Sequence, residues 1–348
     1  MTCVGRRAVI SGGLGYSPRS GGISSASSET VFFSLDVAKR RDAGSSMQRT
    51  IPSVTIGLPV YNGELYLADA LRSILQQTYT DFELVISDNG STDSTETICR
   101  DTASRDERVR YHRVEENRGA AWNFSTVAKL ATSEFFRFAS HDDLLHPRLL
   151  ERCLETASAE PDAVLWYPKA VEIDANGDAV RAFTDSLELI ASEPSRRLES
   201  FLANYATSNA LFGLIRTELL QSTRLMDDFA SSDVVLLAEL ALLGRFVEID
   251  EPLFFRRWQL RSTANRSYEE IDGWFNPHSR RSHHFMRTRL IREIGRSICR
   301  APIARTAKIR SLGALIRVWG PRHTPTVLRE FRNAFLPALR LRRESSDR

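Results

Sequence analysis

The stretch VTIGLPVYNGELYLADALRSILQQTYTDFELVISDNG, residues 54–90, carries the two periodicities that decide the fold. VTIGL (54–58) is a short, strand-like apolar run. Leu67, Leu71, Ile74 and Leu75 then recur at helical spacing, which predicts an amphipathic helix. FELVIS (82–87) is a second strand, closed by the turn-forming Asp88-Asn89-Gly90. Strand, helix and strand at this pitch are the unit of an α/β sheet.

Downstream the pattern repeats. Asp93 with Glu96 three residues later reads as a capping box opening the next helix. VRYHRV (109–114) is a third strand, 120–131 a helix and FFRFAS (135–140) a fourth strand. The alternation predicts a mostly parallel sheet flanked by helices, whose ligands gather at the carboxyl ends of the strands. Three polar clusters fall there: Pro59-Val60-Tyr61-Asn62, Asp88-Asn89-Gly90-Ser91 and His141-Asp142-Asp143. Beyond residue 160 the texture is mixed. AVLWYPKAVEID and AVRAF flank Asn176-Gly177 as a hairpin, and SNALFGLIR (208–216) reads as a strand. DVVLLAELALL (233–243) is a helix stopped by Gly244, and RFVEID and LFFRRW follow as two strands.

Adjacent Asp142 and Asp143 repel one another, so a positive group belongs beside them. A hard divalent cation bound through one or two carboxylates and a substrate diphosphate meets that need. Asp143 capping a helix near Pro147 is the alternative. Tyr61 can stack on a base or pack in the core, and Asp88 can accept from a pyrimidine N3–H or serve as a turn residue.

At 348 residues the chain can bury one large or two modest domains, and 42% apolar with 26% charged residues is ordinary for a soluble protein. No run of about 18 apolar residues suggests a membrane-spanning helix. Cys3, Cys99, Cys153 and Cys299 show neither CxxC nor zinc spacing, as expected of reduced thiols in the cytoplasm. The net charge of +3 conceals a tail: 279–348 holds 18 Lys/Arg against 4 Asp/Glu, a balance of +14 that leaves −11 for the rest. Its apolar residues keep helical spacing: Leu290, Ile294, Ile298; Ile309, Leu312, Ile316, Trp319; Leu328, Phe331, Phe335, Leu339. A basic amphipathic tail either lies on an anionic membrane surface or packs on the body with its arginines solvated. Nothing resembles a nucleic-acid reading module. Residues 1–50, rich in Ser, Gly and Arg, read as a disordered leader, a transit peptide or an over-extended start before Met47. VISGGLGYSPRS within them lacks the third glycine and the helix of a dinucleotide-binding turn.

PVYNGELYLADALRSILQQTYTDFELVISDNGSTDST, NRGAAWNFSTVAKLATSEFFRFASHDDLLHP and SSDVVLLAELALLGRF together resemble the family 2 glycosyltransferases, inverting enzymes of GT-A fold, over roughly Val54 to Trp258. The resemblance implies a Rossmann-like GT-A sheet with 51–160 as the nucleotide-sugar half, 161–278 as the acceptor half and 279–348 as a basic helical extension. It implies nucleotide contacts from Pro59, Tyr61, Asn62, Asp88, Asn89 and Asp142, with Asp143 holding Mg²⁺ or Mn²⁺ as the last residue of a DXD-like motif. His141 stands where relatives often have a third Asp and reads as a packed or hydrogen-bonded histidine. Asn117, Gly119, Asn123 and Phe124 match the segment entering the third helix, although Asn123 equally suits a structural amide. Asp233 matches the general base, or else caps its helix. Relatives often carry a His after the Phe-Arg-Arg strand. Here Arg256 and Arg257 are followed by Trp258, so these arginines are the candidates to meet the diphosphate.

The implied reaction moves a sugar from a UDP- or dTDP-sugar to a glycan, glycolipid or lipid-linked acceptor, as in cell-envelope polysaccharide synthesis, at the inner face of the plasma membrane. A non-catalytic nucleotide-sugar-binding relative is one rival. A sugar-phosphate nucleotidylyltransferase is another, and it would need a Gly-rich loop with Arg after the first strand.

Overall fold

β1 (Val54–Val60) and β2 (Phe82–Asn89) are buried at every position in this computed structural model, which describes residues 51–258, 268–275 and 285–346. Strands covered on both faces read as apolar runs rather than as alternation. α1 (Leu67–Leu75) buries Leu67, Ala70, Leu71 and Ile74, and α2 (Thr95–Arg105) follows β2. β3 (Val109–Val114), α3 (Ala120–Leu130) and β4 (Phe135–Phe138) complete the first half. β1 pairs in parallel with β2 and β4, and β2 with β3, so the carboxyl ends of all four strands share one edge.

The second half adds β5 (Leu144–Leu145), α4 (Leu149–Ala159), β6 (Ala163–Ile173), β7 (Ala179–Ala182) and α5 (Pro194–Asn204). β8 (Leu214–Arg216), α6 (Thr217–Ser222), α7 (Ser232–Leu243) and β9 (Arg245–Arg257) follow, then α8 (Tyr268–Phe275), α9 (Met286–Arg300) and α10 (Arg305–Ser346). The strand order is β3-β2-β1-β4-β8-β6-β9-β5, with β7 on β6. β8 runs antiparallel to β4 and β6, and β6 and β9 are parallel to each other. One mixed sheet therefore runs through both halves.

Alternating side chains feed opposite faces of this sheet. Leu84 and Ile86 join Leu67, Leu71, Leu149, Cys153 and Trp166 on one side. Val85, Phe136 and Phe138 join Val127, Phe201, Leu236 and Ile294 on the other.

Three local expectations are corrected. Asn209–Phe212 winds into a 3-10 turn and only Leu214–Arg216 is strand. The chain meets β6 at Gly213, where an added Cβ would lie 2.5 Å from the Trp166 carbonyl oxygen. RFVEID and LFFRRW form one strand, because register slips on either side of Lys169 absorb Asp250-Glu251 and Leu253. No capping box forms at α2. Asp93 accepts from the N–H groups of Glu64 and Thr95, while Glu96 pairs with Arg100 and Arg113.

The tail packs on the body through α9 and the first half of α10. Leu290, Ile294 and Ile298 are buried as their spacing predicts. On α10 the buried face is Ala314, Leu315 and Trp319, and the Trp319 indole donates to the Leu202 carbonyl at 2.8 Å. Of the predicted stripes, Trp319 and the partly buried Leu312 meet the body, whereas Ile309, Ile316, Leu328 and Phe331 stay exposed. Arg224 joins Glu239 of α7 to Glu293 of α9 at 2.9 and 2.8 Å. Among the described residues no helix is long and apolar enough to cross a membrane. The leader with VISGGLGYSPRS, and the side chains of Phe335 and Leu339, lie outside the described residues.

Candidate active site

The loops after β1, β2 and β4 meet at the shared carboxyl edge, and the first two are stitched together. The Asn62 N–H donates to Ser91 Oγ at 3.0 Å, and the Thr92 N–H donates to Asn62 Oδ1 at 2.8 Å. The Gly63 N–H reaches Thr95 Oγ1 at 2.9 Å. This requires Asn62 at φ 51°, a left-handed conformation that Asn tolerates better than most residues. Pro59 lies buried in β1, whereas Tyr61 is 38% exposed and its ring is open to a stacking partner. His141 packs so closely on Gly63 that an added Cβ there would sit 2.8 Å from the imidazole.

Asp88 is wholly buried and accepts three donors: the Ser91 N–H at 2.9 Å, the Tyr111 hydroxyl at 2.7 Å and Arg113 Nη1 at 2.6 Å. A buried carboxylate needs such partners. Asn89, also buried, accepts from the Arg118 N–H at 3.0 Å and donates to Asn117 Oδ1 and the Gly119 carbonyl at 2.9 and 3.1 Å. Asn123 donates to the carbonyls of Val60 and Ser87, joining the ends of β1 and β2 as a structural amide. Asp88 and Asn89 thus shape the floor and the entry to α3, where the exposed Arg118 lays its guanidinium over the Trp122 ring. Tyr111, Arg113 and Arg118 escaped the sequence reading. The available signal was the i, i+2 pair Tyr111 and Arg113, on one face of a strand whose register puts Arg113 opposite Asp88.

Asp143 is buried and caps no helix, since β5 intervenes before α4 begins at Leu149. Its Oδ1 accepts the Arg257 backbone N–H at 2.9 Å. Burial, and then the charge of Asp142, push its carboxyl up to about 8. Asp142 accepts the Ser140 hydroxyl. The positive group that this pair requires comes from β9, whose alternation sends its two arginines to different tasks. Arg257 is buried and spends its guanidinium on the carbonyls of Asp142, Asp174 and Ala175 at 2.7–2.9 Å, over the Tyr66 ring. Those bonds make it a clamp on the acidic loop rather than a free cation. Arg256 donates to Asn209 Oδ1 at 2.8 Å, and its charge favours the ionised forms of both Asp143 and Asp233.

Asp233 stands in the first turn of α7 and does not act as its cap. The preceding Ser231 is left-handed at φ 70°, a strained conformation of the kind found at functional sites. The Ser208 hydroxyl donates to Asp233 Oδ2, and Tyr205 hydrogen-bonds Ser208 at 2.7 Å. Burial raises the Asp233 carboxyl above the usual carboxylate range. Ser208 and Asn209 went unnoticed in the sequence because they lie in a segment read as strand, and Tyr205 lies just before it, at the end of α5.

Among the described residues no three His, Cys, Asp or Glu side chains form a closed metal cage. A Mg²⁺ or Mn²⁺ shared with a diphosphate needs one or two hard carboxylates, and adjacent Asp142 and Asp143 fit that donor set. An open groove of about 630 Å³ lined by Glu193, Glu199, Arg310 and Arg317 lies elsewhere, between α5 and α10.

The sheet order and the strand-end loops define a GT-A architecture. Residues 55–213 match the family described as glycosyl transferase family 2. Chondroitin synthase of Escherichia coli is 30% identical over 142 residues, 41% of this chain and 21% of that protein. An uncharacterized glycosyltransferase of Rickettsia typhi is 38% identical over 100 residues, 29% of this chain and 30% of the other. The matches thus span less than a third of these curated relatives. The S. aureus TarS 1-349 structure in complex with UDP-GlcNAc superposes with a TM-score of 0.56 at 18% identity, covering 76% of this chain and 71% of that one. That likeness concerns the fold.

Proposed function

We propose that the protein transfers a sugar from a UDP- or dTDP-sugar to a hydroxyl of a glycan, glycolipid or lipid-linked acceptor, with inversion at the anomeric carbon. One observation carries the reading: Arg256 bonds Asn209 beside the Ser208 that holds Asp233, while the next residue, Arg257, bonds Asp143 through its backbone N–H, so the acidic loop and the candidate base gather around the end of β9. Tyr61 stacks on the base, over the floor built by Pro59, Asn62, Asp88 and Asn89. Asp142 and Asp143 hold the Mg²⁺ or Mn²⁺ that neutralises the diphosphate when bound. Asp233, little neutralised and raised by burial, accepts the acceptor's proton. Arg256 balances charge at the diphosphate, while Arg257 holds the acidic loop in shape.

The catalytic reading is favoured over a docking role by that raised carboxylate, which a mere binding protein does not need. The test is a nucleotide and nucleotide-sugar screen by thermal shift with and without Mn²⁺, followed by turnover and by NMR of the product anomer. Stabilisation by UDP or dTDP species and loss of turnover in Asp233→Asn support it. A protein that no nucleoside diphosphate stabilises refutes the donor assignment.

The exposed Ile309, Ile316, Leu328 and Phe331 on arginine-rich α10 support attachment to an anionic lipid surface at the inner face of the plasma membrane. Co-sedimentation with phosphatidylglycerol vesicles, lost in Ile316→Asp, tests it.

A further inference from the structure

Three consecutive residues, Thr207, Ser208 and Asn209, each hold a different charged side chain by a hydrogen bond. Thr207 Oγ1 donates to Asp185, Ser208 Oγ donates to Asp233, and Asn209 Oδ1 accepts from Arg256. The three partners come from the loop after β7, the start of α7 and the end of β9. One tripeptide therefore gathers side chains that the fold delivers from three directions. Its own backbone is anchored locally, since the Leu211 N–H donates to the Ser208 carbonyl at 3.0 Å and Gly213 is fitted against Trp166.

We propose that Thr207-Ser208-Asn209 is a positioning segment for the acceptor side of the site, with Ser208 orienting Asp233 and Asn209 aiming Arg256. The inference rests on the reading of Asp233 as the base. A carboxylate that takes a proton from an attacking hydroxyl must present one oxygen to it. Ser208 fixes Oδ2, and with the backbone N–H groups of Asp233 and Val234 it holds the carboxylate in one orientation for that hydroxyl. Ser208 has one proton to give and gives it to Asp233, so the phenol of Tyr205 is the donor in their bond. Burial and the neighbouring Asp233 hold that phenol well above its ordinary range, so it stays neutral and keeps donating. Besides Ser208, the backbone N–H groups of Val234 and Asp233 and the charge of Arg256 from β9 act on Asp233, which in turn acts with Arg287 of α9 on Tyr205.

The hydrogen bond from Ser208 stabilises the carboxylate against the burial that raises it, so its removal lifts the titration midpoint of Asp233. The probe is carboxyl ¹³C NMR of the full chain with ¹³C-labelled aspartate, the Asp233 signal being the one absent from Asp233→Asn. Ser208→Ala is expected to raise the midpoint by roughly half to one pH unit, the equivalent of one ordinary hydrogen bond. Ser208→Thr restores it. Asn209→Ala raises it too, by releasing Arg256. Should Ser208→Ala not fold, Ser208→Cys, a weaker donor, takes its place. An unmoved midpoint in a folded Ser208 variant overturns the proposal, whatever the activity. If the midpoint moves as expected while Asp233→Asn still releases UDP from a UDP-sugar at the parent rate, positioning stands and the base assignment fails instead.

Discussion

The backbone N–H of Arg257 donates to Asp143 Oδ1 at 2.9 Å, joining residues 114 apart in sequence. With the guanidinium bonds to Asp142, Asp174 and Ala175, it pins the acidic loop to the end of β9. A buried carboxylate held in this way is a source of pH-dependent stability.

Asp143 keeps its proton in the folded state up to about 8, whereas the unfolded chain releases it near the ordinary carboxylate value. The folded state binds the extra proton, so this contribution is full below about pH 4 and is lost as pH rises towards 8. Asp143→Asn has no such proton to lose. Without metal ions, its melting temperature should therefore gain on the parent's between pH 5 and pH 8. An equal difference at the two pH values would show an ordinary carboxylate.

Arg256 and Arg257 should separate stability from turnover. Arg257→Ala keeps the backbone N–H to Asp143 but strands three carbonyls, and is expected to cost about 3 kcal/mol in denaturant unfolding. Arg257→Lys should not rescue it, since an ammonium cannot reproduce the planar fork. Arg256→Ala should unfold at nearly the parent midpoint and lose turnover about 100-fold, the scale for removing one charge-stabilising group. The reverse pattern would exchange their roles.

Tyr61 is exposed and unburdened by packing. Tyr61→Ala should leave the melting temperature unchanged and weaken nucleotide binding by about 1–3 kcal/mol in calorimetry, the worth of one stacked base. Tyr61→Phe should bind nearly as the parent does. Loss of stability rather than of affinity would mark Tyr61 as a packing residue.

The tail divides at Trp319. Trp319→Ala should destabilise by about 3–5 kcal/mol through the cavity left beside Leu202. Ile316→Asp, on the exposed side, should stay within about 0.5 kcal/mol of the parent. Chemical denaturation of the two variants checks both. A large effect from Ile316 would mean that this face is covered.

Much of the first half is legible from local pattern. β1, α1, β2, β3, α3 and β4 follow from runs and 3.6-residue spacing, because each buries the face that its own residues define. SNALFGLIR misled for the opposite reason. Its Ser208 and Asn209 side chains answer to Asp233 and Arg256, which no local pattern connects to it. Asp93 and Glu96 likewise have the spacing of a cap, but are claimed by Glu64 and Arg113 from other elements.

Alone, the order of residues dictated a parallel α/β core, the polar loops at its strand ends and a basic helical tail, since burial periodicity and turn chemistry act over a few residues. Which carboxylates lie buried, which arginine clamps and which stays available, and which tail face meets the body were decided only on folding. Those outcomes depend on strand register and on partners far away in the chain, as the bond between Trp319 and Leu202, 117 residues apart, shows.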